Sequence, residues 1–149
     1  MQNISIIFKG IFLLSLIILA GCGANSAKVD AQKINAYYDQ KYDTMPASGE
    51  VIDGVRVIEI KASQFTFDPE VVVVNQGEKI RLIISAEDVP HGFEIEGLEL
   101  PNFDINDPIK PGEPVTIEFT AKEKGVWEII CSIYCGFGHS GMSGLFVVR

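Results

Sequence analysis

The chain has 149 residues, 47% of them hydrophobic and 21% charged, with 12 basic against 20 acidic side chains and a formal charge of −8. That length fits one folded domain with a terminal extension. The acidic balance excludes a phosphate-reading surface, which needs clustered Lys and Arg, so nucleic acid is not expected as a partner. In chain order, residues 4–20, ISIIFKGIFLLSLIILA, come first; they are almost wholly apolar but interrupted by Lys9. The unbroken part falls short of the ~20 residues a membrane span needs, so the stretch reads as the core of a signal peptide.

Leu19-Ala20-Gly21-Cys22 follows this core directly. The tetrapeptide resembles the bacterial lipobox, in which cleavage precedes the cysteine and a diacylglycerol joins its sulfur. An uncleaved membrane helix over residues 4–22 is the alternative. The lipobox reading predicts a leader over 1–21, a tether over 22–50 anchored to the membrane surface through lipidated Cys22, and a folded domain over 51–149. The domain would then sit on the outer face of a bacterial cytoplasmic membrane, with Cys131 and Cys135 as its only free thiols. Within the tether Ile34, Tyr37, Tyr38, Lys41, Tyr42 and Met45 recur near helical spacing, and Pro46 to Gly49 would stop such a helix.

From Val51 the pattern changes to strands. VRVIEIKA, EVVVV, KIRLIIS, GFEIEG, VTIEFTA, VWEIIC and LFVVR are short β-branched runs, punctuated by Asp68-Pro69, Gln76-Gly77, Asp107-Pro108, Pro111-Gly112 and Lys124-Gly125. In one of them Val115, Ile117 and Phe119 face one way and Thr116, Glu118 and Thr120 the other. These strands, with no helical pattern among them, predict an all-β chain folded as a two-sheet antiparallel sandwich.

The chemistry lies in CSIYCGFGHSGM, residues 131–142, between the last two strands. Cys131, Cys135, His139 and Met142 fall within twelve residues, among glycines that permit tight turns. A Cys131–Cys135 disulfide suits an exported chain but leaves His139 and Met142 unexplained. Zinc suits cysteine and histidine, but not methionine. Copper accepts thiolate, imidazole and thioether, and the set of two histidines, a cysteine and a weak axial methionine is that of an electron-transfer site. The second histidine must come from elsewhere, and the chain has only one more, His91, in SAEDVPHGFEIEG. One thiolate suffices for a mononuclear site; the second lets two coppers share bridging sulfurs.

This arrangement resembles the dinuclear copper (CuA) domain of the cytochrome c oxidase subunit II family, over roughly residues 55–149. The motif is C-x-x-x-C-G-x-x-H-x-x-M, met by Cys131, Cys135, Gly136, His139 and Met142, with His91 matching the upstream histidine. The short subunit II of bacterial B-type oxidases is the most similar form. The resemblance implies a cupredoxin-like Greek-key β-sandwich and two copper ions held by His91, Cys131, the Ile133 carbonyl, Cys135, His139 and Met142. Most members carry glutamate at the Ile133 position, where it also serves magnesium; an isoleucine side chain cannot. The implied role is non-catalytic electron entry, from a cytochrome c-type donor to oxidase subunit I. A free-standing lipid-anchored copper protein and the copper subunit of a nitric oxide reductase are the competing roles.

Two further expectations concern the surroundings of the metal. Phe93, Phe137 and Phe146 would shield it from water. Between Arg81 and Lys110 stand Glu87, Asp88, Glu94, Glu96, Glu99, Asp104 and Asp107, with no Lys or Arg among them. This acidic stretch contains His91, and Glu87, Asp88, Glu94, Glu96 and Glu99 are the residues expected to steer a basic donor.

Overall fold

The computed structural model of the protein describes residues 40–149. The expected leader, Cys22 and the tether as far as residue 39 lie outside the described residues. Nine strands follow in chain order: β1 (Glu50–Ile52), β2 (Val55–Ser63), β3 (Thr66–Asp68), β4 (Val71–Val74), β5 (Lys79–Ala86), β6 (Glu94–Ile95), β7 (Val115–Thr120), β8 (Gly125–Ile130) and β9 (Ser143–Val148). Every run read as a strand from the sequence forms one, with β1 and β3 added. β1 is made by Asp53-Gly54, whose φ values of 50° and 79° suit the two-residue turn that closes a hairpin. Among the described residues no helix is long and apolar enough to cross a membrane.

The strands form two sheets. One has the order β1-β2-β5-β7, with β3 also paired to β2; the other runs β4-β9-β8-β6. The sandwich is thus as expected, but its sheets are not purely antiparallel: β2 pairs β5 in parallel, and β4 pairs β9 in parallel. The cause is topological. After β2 and β3 the chain crosses to the second sheet as β4 and then returns beside β2 as β5, and a crossover of that kind yields a parallel neighbour. Residue alternation carries no trace of this, because either pairing turns the same side chains inward.

The alternation does specify the core. Ile58, Ile60 and Ala62 of β2 and Ile80, Leu82, Ile84 and Ala86 of β5 are all buried. Register places Ile58 opposite Leu82 and Leu82 opposite Ile117, so one apolar row crosses three strands. Val72, Val74, Ile129, Phe146 and Val148 complete the core from the other sheet. Each buried Val, Leu, Ile or Phe among these contributes roughly 1.5–3 kcal/mol by leaving water.

The outer face of the second sheet is covered by the segment before β1. Residues 40–42 are helical, and Tyr42 is buried against Val73 and Val147. Arg149 donates to the carbonyls of Tyr42 (3.0 Å), Asp43 (2.7 Å) and Met45. A cationic side chain satisfying the open carbonyls at a helix end is favourable both as hydrogen bonding and against the helix dipole. From Tyr42 onward, therefore, the segment expected to be tether packs on the sandwich.

At the end of the sandwich remote from residues 131–142, Arg56 and Glu78 form a two-pronged pair with both N–O distances 2.7 Å. Glu78 also accepts from the Asn75 backbone N–H and side-chain amide. The Arg56 guanidinium, helped by Asn75, outweighs burial and lowers the Glu78 carboxyl from its ordinary 4.5 to about 2. Its folded pKa lies below its unfolded one, so the stabilisation is complete above pH ~4.5 and is lost as the pH falls toward 2. Glu78→Gln should therefore cost on the order of 2 kcal/mol at pH 7 and flatten the acid limb of stability between pH 5 and 2. Urea unfolding across that range checks this; equal destabilisation at pH 7 and pH 2 would show that the charge contributes nothing.

Candidate metal centre

The loop between β8 and β9 is closed at its neck. Ile130 pairs with Ser143, and the Cys131 N–H donates to the Met142 carbonyl at 3.3 Å. Inside it a short 3-10 turn spans His139–Gly141. Glycine is required where the loop meets the β2–β3 turn. Gly136 has φ +134°, and a side chain on Gly138 would overlap the ring of Phe65. The loop can therefore lie flat against Phe65 and turn its four donor side chains to one side.

Those donors converge. The Cys131 and Cys135 sulfurs are 3.7 Å apart, and both cysteines are free and buried. His139 Nδ1 lies 3.7 Å from the Cys135 sulfur, and the Met142 sulfur 3.8 Å from the same atom. The Ile133 carbonyl faces the Cys131 sulfur at 3.1 Å. Two metal–thiolate bonds of ~2.3 Å meeting at a tetrahedral angle put their sulfurs ~3.8 Å apart, so the observed spacing fits a shared metal. The donor types fit copper: two thiols, two imidazoles, a thioether and a carbonyl oxygen.

His91 enters from a separate loop between β5 and β6. Its backbone is fixed by a reciprocal pair of hydrogen bonds with Ile109, of 3.1 and 2.8 Å. Its side chain is wholly buried, with Nδ1 3.8 Å from the Cys131 sulfur and Nε2 2.8 Å from Asp88 Oδ1. His91, Cys131 and Cys135 thus offer their ligand atoms within 4.8 Å of one another. Gly92 lets the two loops touch, since a Cβ there would overlap the backbone of Ser132 and Ile133. Its N–H points at the Cys131 sulfur from 3.4 Å, an orientation that favours a thiolate.

The electrostatics fix the protonation pattern. Burial would raise Asp88, but hydrogen bonds from the Gln64 N–H, the His91 ring and the Val89 N–H prevail and hold it at about 2. A carboxylate accepts only, so the His91 Nε2 that faces it is the donor, and Nδ1 is the ring nitrogen turned toward Cys131. Burial pushes the Cys135 thiol up to about 11, and its hydrogen bond to and repulsion from Cys131 act in the same direction. A metal taking this sulfur at neutral pH must displace its proton.

All six metal-site residues expected from the sequence meet here. The surroundings differ from expectation in two ways. Phe137 shields nothing: its ring is fully exposed. Phe146 packs in the core on Phe119 and Trp127, while Phe93 is buried between Phe67 and Phe103. The ring against the ligand loop is that of Phe65. Among the acids, Asp88 is occupied by three donors, whereas Glu87 is half-exposed and 3.9 Å from Lys61. Glu94 and Glu99 line a cleft with Asp104 and Asp107, and Glu96 is exposed nearby. Sequence reasoning missed Gln64 and Phe65, which stand far from the ligands along the chain. Asp88 had a usable signal, an acid three residues before a ligand histidine.

A family model described as "Cupredoxin-like domain" matches residues 13–148. The chain belongs to the cupredoxin-like family. This cupredoxin is 40% identical over 90 residues to cytochrome c oxidase subunit 2 of Thermus thermophilus; the match covers 60% of the chain and 63% of that protein. The same identity over 90 residues holds for a second cytochrome c oxidase subunit 2 from Thermus thermophilus, of which 51% is covered. The chain thus spans about half to two thirds of the length of these relatives. Among solved structures, a chain of a heme-copper terminal oxidase dimer matches with a TM-score of 0.55 at 20% identity, over 79% of this chain and 88% of that one. At that identity the likeness speaks for the fold, and it agrees with the sandwich described above.

Proposed function

We propose that this cupredoxin carries electrons through a dinuclear copper centre, as the electron-entry subunit of a haem-copper terminal oxidase. The two ions would be held by the Cys131 and Cys135 thiolates and the His91 and His139 imidazoles, with Met142 and the Ile133 carbonyl as weaker ligands. Such a centre would supply one-electron transfer rather than bond chemistry.

The observation that carries the reading is the placement of one imidazole against each sulfur. His91 Nδ1 stands by Cys131 and His139 Nδ1 by Cys135, with the sulfurs 3.7 Å apart. A mononuclear site would bring both imidazoles to one thiolate. The similarity to the two oxidase subunits supports the partner: electrons would pass to oxidase subunit I, and a cytochrome c-type protein would supply them. Lipidated Cys22 would hold the domain on the outer face of the cytoplasmic membrane.

Loaded protein should contain two coppers per chain and give an EPR signal of one electron shared over both. Cys131→Ser should convert it to a one-copper site, because only Cys135 then remains with His139 and Met142 beside it. One copper per parent chain, with a mononuclear spectrum, would contradict the reading.

The donor's charge gives a second test. Exposed Glu96 and Glu99, with Glu94 beside them in the acidic cleft, would steer a basic donor, and such steering is screened over a Debye length of ~8 Å at physiological salt. Stopped-flow reduction by reduced cytochrome c should slow as salt rises. Neutralising Glu94, Glu96 and Glu99 together should lower the low-salt rate at least several-fold and leave the copper spectrum unchanged. A rate indifferent to both would mean that these acids serve solubility alone.

A further inference from the structure

Resting on the copper reading above, we propose that Gln64 is a positioning residue of the metal centre, locking the Cys135 side of the donor set to the His91 side. Gln64 lies in the turn between β2 and β3. Its side-chain amide nitrogen is 2.5 Å from the Cys135 carbonyl oxygen. A carbonyl only accepts, so the amide must present its N–H₂ group there. Its backbone N–H donates to Asp88 Oδ2 at 2.8 Å, and Asp88 Oδ1 takes the His91 Nε2 proton at 2.8 Å.

The contacts close a ring. It runs from the Cys131 sulfur to His91, to Asp88, to Gln64, to Cys135, and back across the two sulfurs. Every loop that supplies a sulfur or nitrogen ligand is in it. Gln64 is the only member that is neither a ligand nor bonded to a ligand side chain, so its effect on the metal must pass through geometry.

The lock has a specific task. The peptide after Cys135 leads into Gly136, at φ +134°, and glycine sets no steric preference of its own there. Nothing intrinsic to that link fixes the plane of the Cys135 carbonyl, and with it the direction of the Cys135 side chain. The Gln64 amide does so from outside. Gly136 must lack a side chain for this to occur: a Cβ would stand 2.8 Å from the Gln64 amide nitrogen and 3.1 Å from the Phe65 ring. The contact joins residues 71 positions apart, so local chain preference cannot produce it.

Gln64 is itself an exposed residue, and exposed substitutions rarely change stability much. Changes at the metal can then be separated from loss of fold. The test uses the full chain with Gln64→Met, which keeps length but cannot donate, and Gln64→Glu, which keeps shape but cannot donate at neutral pH. Both should retain the parent's copper stoichiometry and thermal midpoint, lose copper to a chelator about tenfold faster, and alter the EPR hyperfine pattern. In the metal-free protein, both should speed hydrogen exchange at the His139 N–H, which bonds the Gly136 carbonyl at 3.0 Å. Thr66→Ala, at the start of β3 just past the same turn, should do neither. Parent-like release and exchange in Gln64→Met would overturn the proposal, as would a change in Gln64→Glu alone or an equal change in Thr66→Ala. The exchange measurement needs no metal, so it stands or falls independently of how many coppers the parent binds.

Discussion

The Asp88 carboxylate holds three pieces of the structure at one point. One oxygen takes the Gln64 N–H from the β2–β3 turn; the other takes the Val89 N–H of its own loop and the His91 ring. Each bond is charge-assisted, and together they overcome the burial that would otherwise favour the neutral acid. Remove the carboxylate and the His91 Nε2 loses its partner, and the turn that backs the cysteine loop loses its attachment. The metal end is thus organised by a residue that is not a ligand.

This arrangement explains how a loop rich in glycine can hold a defined site. Gly136, Gly138 and Gly141 give residues 131–142 little stiffness of their own. Order is imposed from outside: by the strand pairing that closes the neck, by Phe65 beneath the glycines, and by hydrogen bonds from Gln64 and Gly92. Behind these stands the sandwich, whose row of Ile58, Leu82 and Ile117 fixes the strands that the loops leave from. Donors constrained by rigid elements in this way would suit the electron-transfer role proposed above.

Much of this was legible in the residues. Alternation located the strands and their inward faces, because that pattern follows from the pleat itself. The five side chains gathered at the candidate site were legible because copper chemistry restricts which side chains serve, and because the chain has so few of them: with two histidines, the second imidazole could only be His91. The Ile133 carbonyl came from the family resemblance alone. The parallel pairs were not legible, since pairing direction does not change which residues point inward. Nor were Gln64 and Phe65, whose contacts with the ligand loop span some seventy residues. Phe137 misled for a related reason. Adjacency to a ligand in sequence suggests adjacency in space, but in a loop whose donors all turn one way an intervening side chain is left facing solvent. The hairpin at Asp53-Gly54 was missed, although an Asp-Gly pair is the residue signature of a two-residue turn.

The central claim is that the protein sets the ligand geometry before any metal arrives. It is tested most directly by the tautomer of His91 in the reduced, metal-free protein, read from imidazole nitrogen-15 chemical shifts at neutral pH. With the Asp88 carboxylate holding Nε2, the ring should carry its proton on Nε2 and present a bare Nδ1, and Asp88→Ala should abolish that preference. A metal-free ring protonated on Nδ1, or averaging between the two tautomers in the parent protein, would contradict the account.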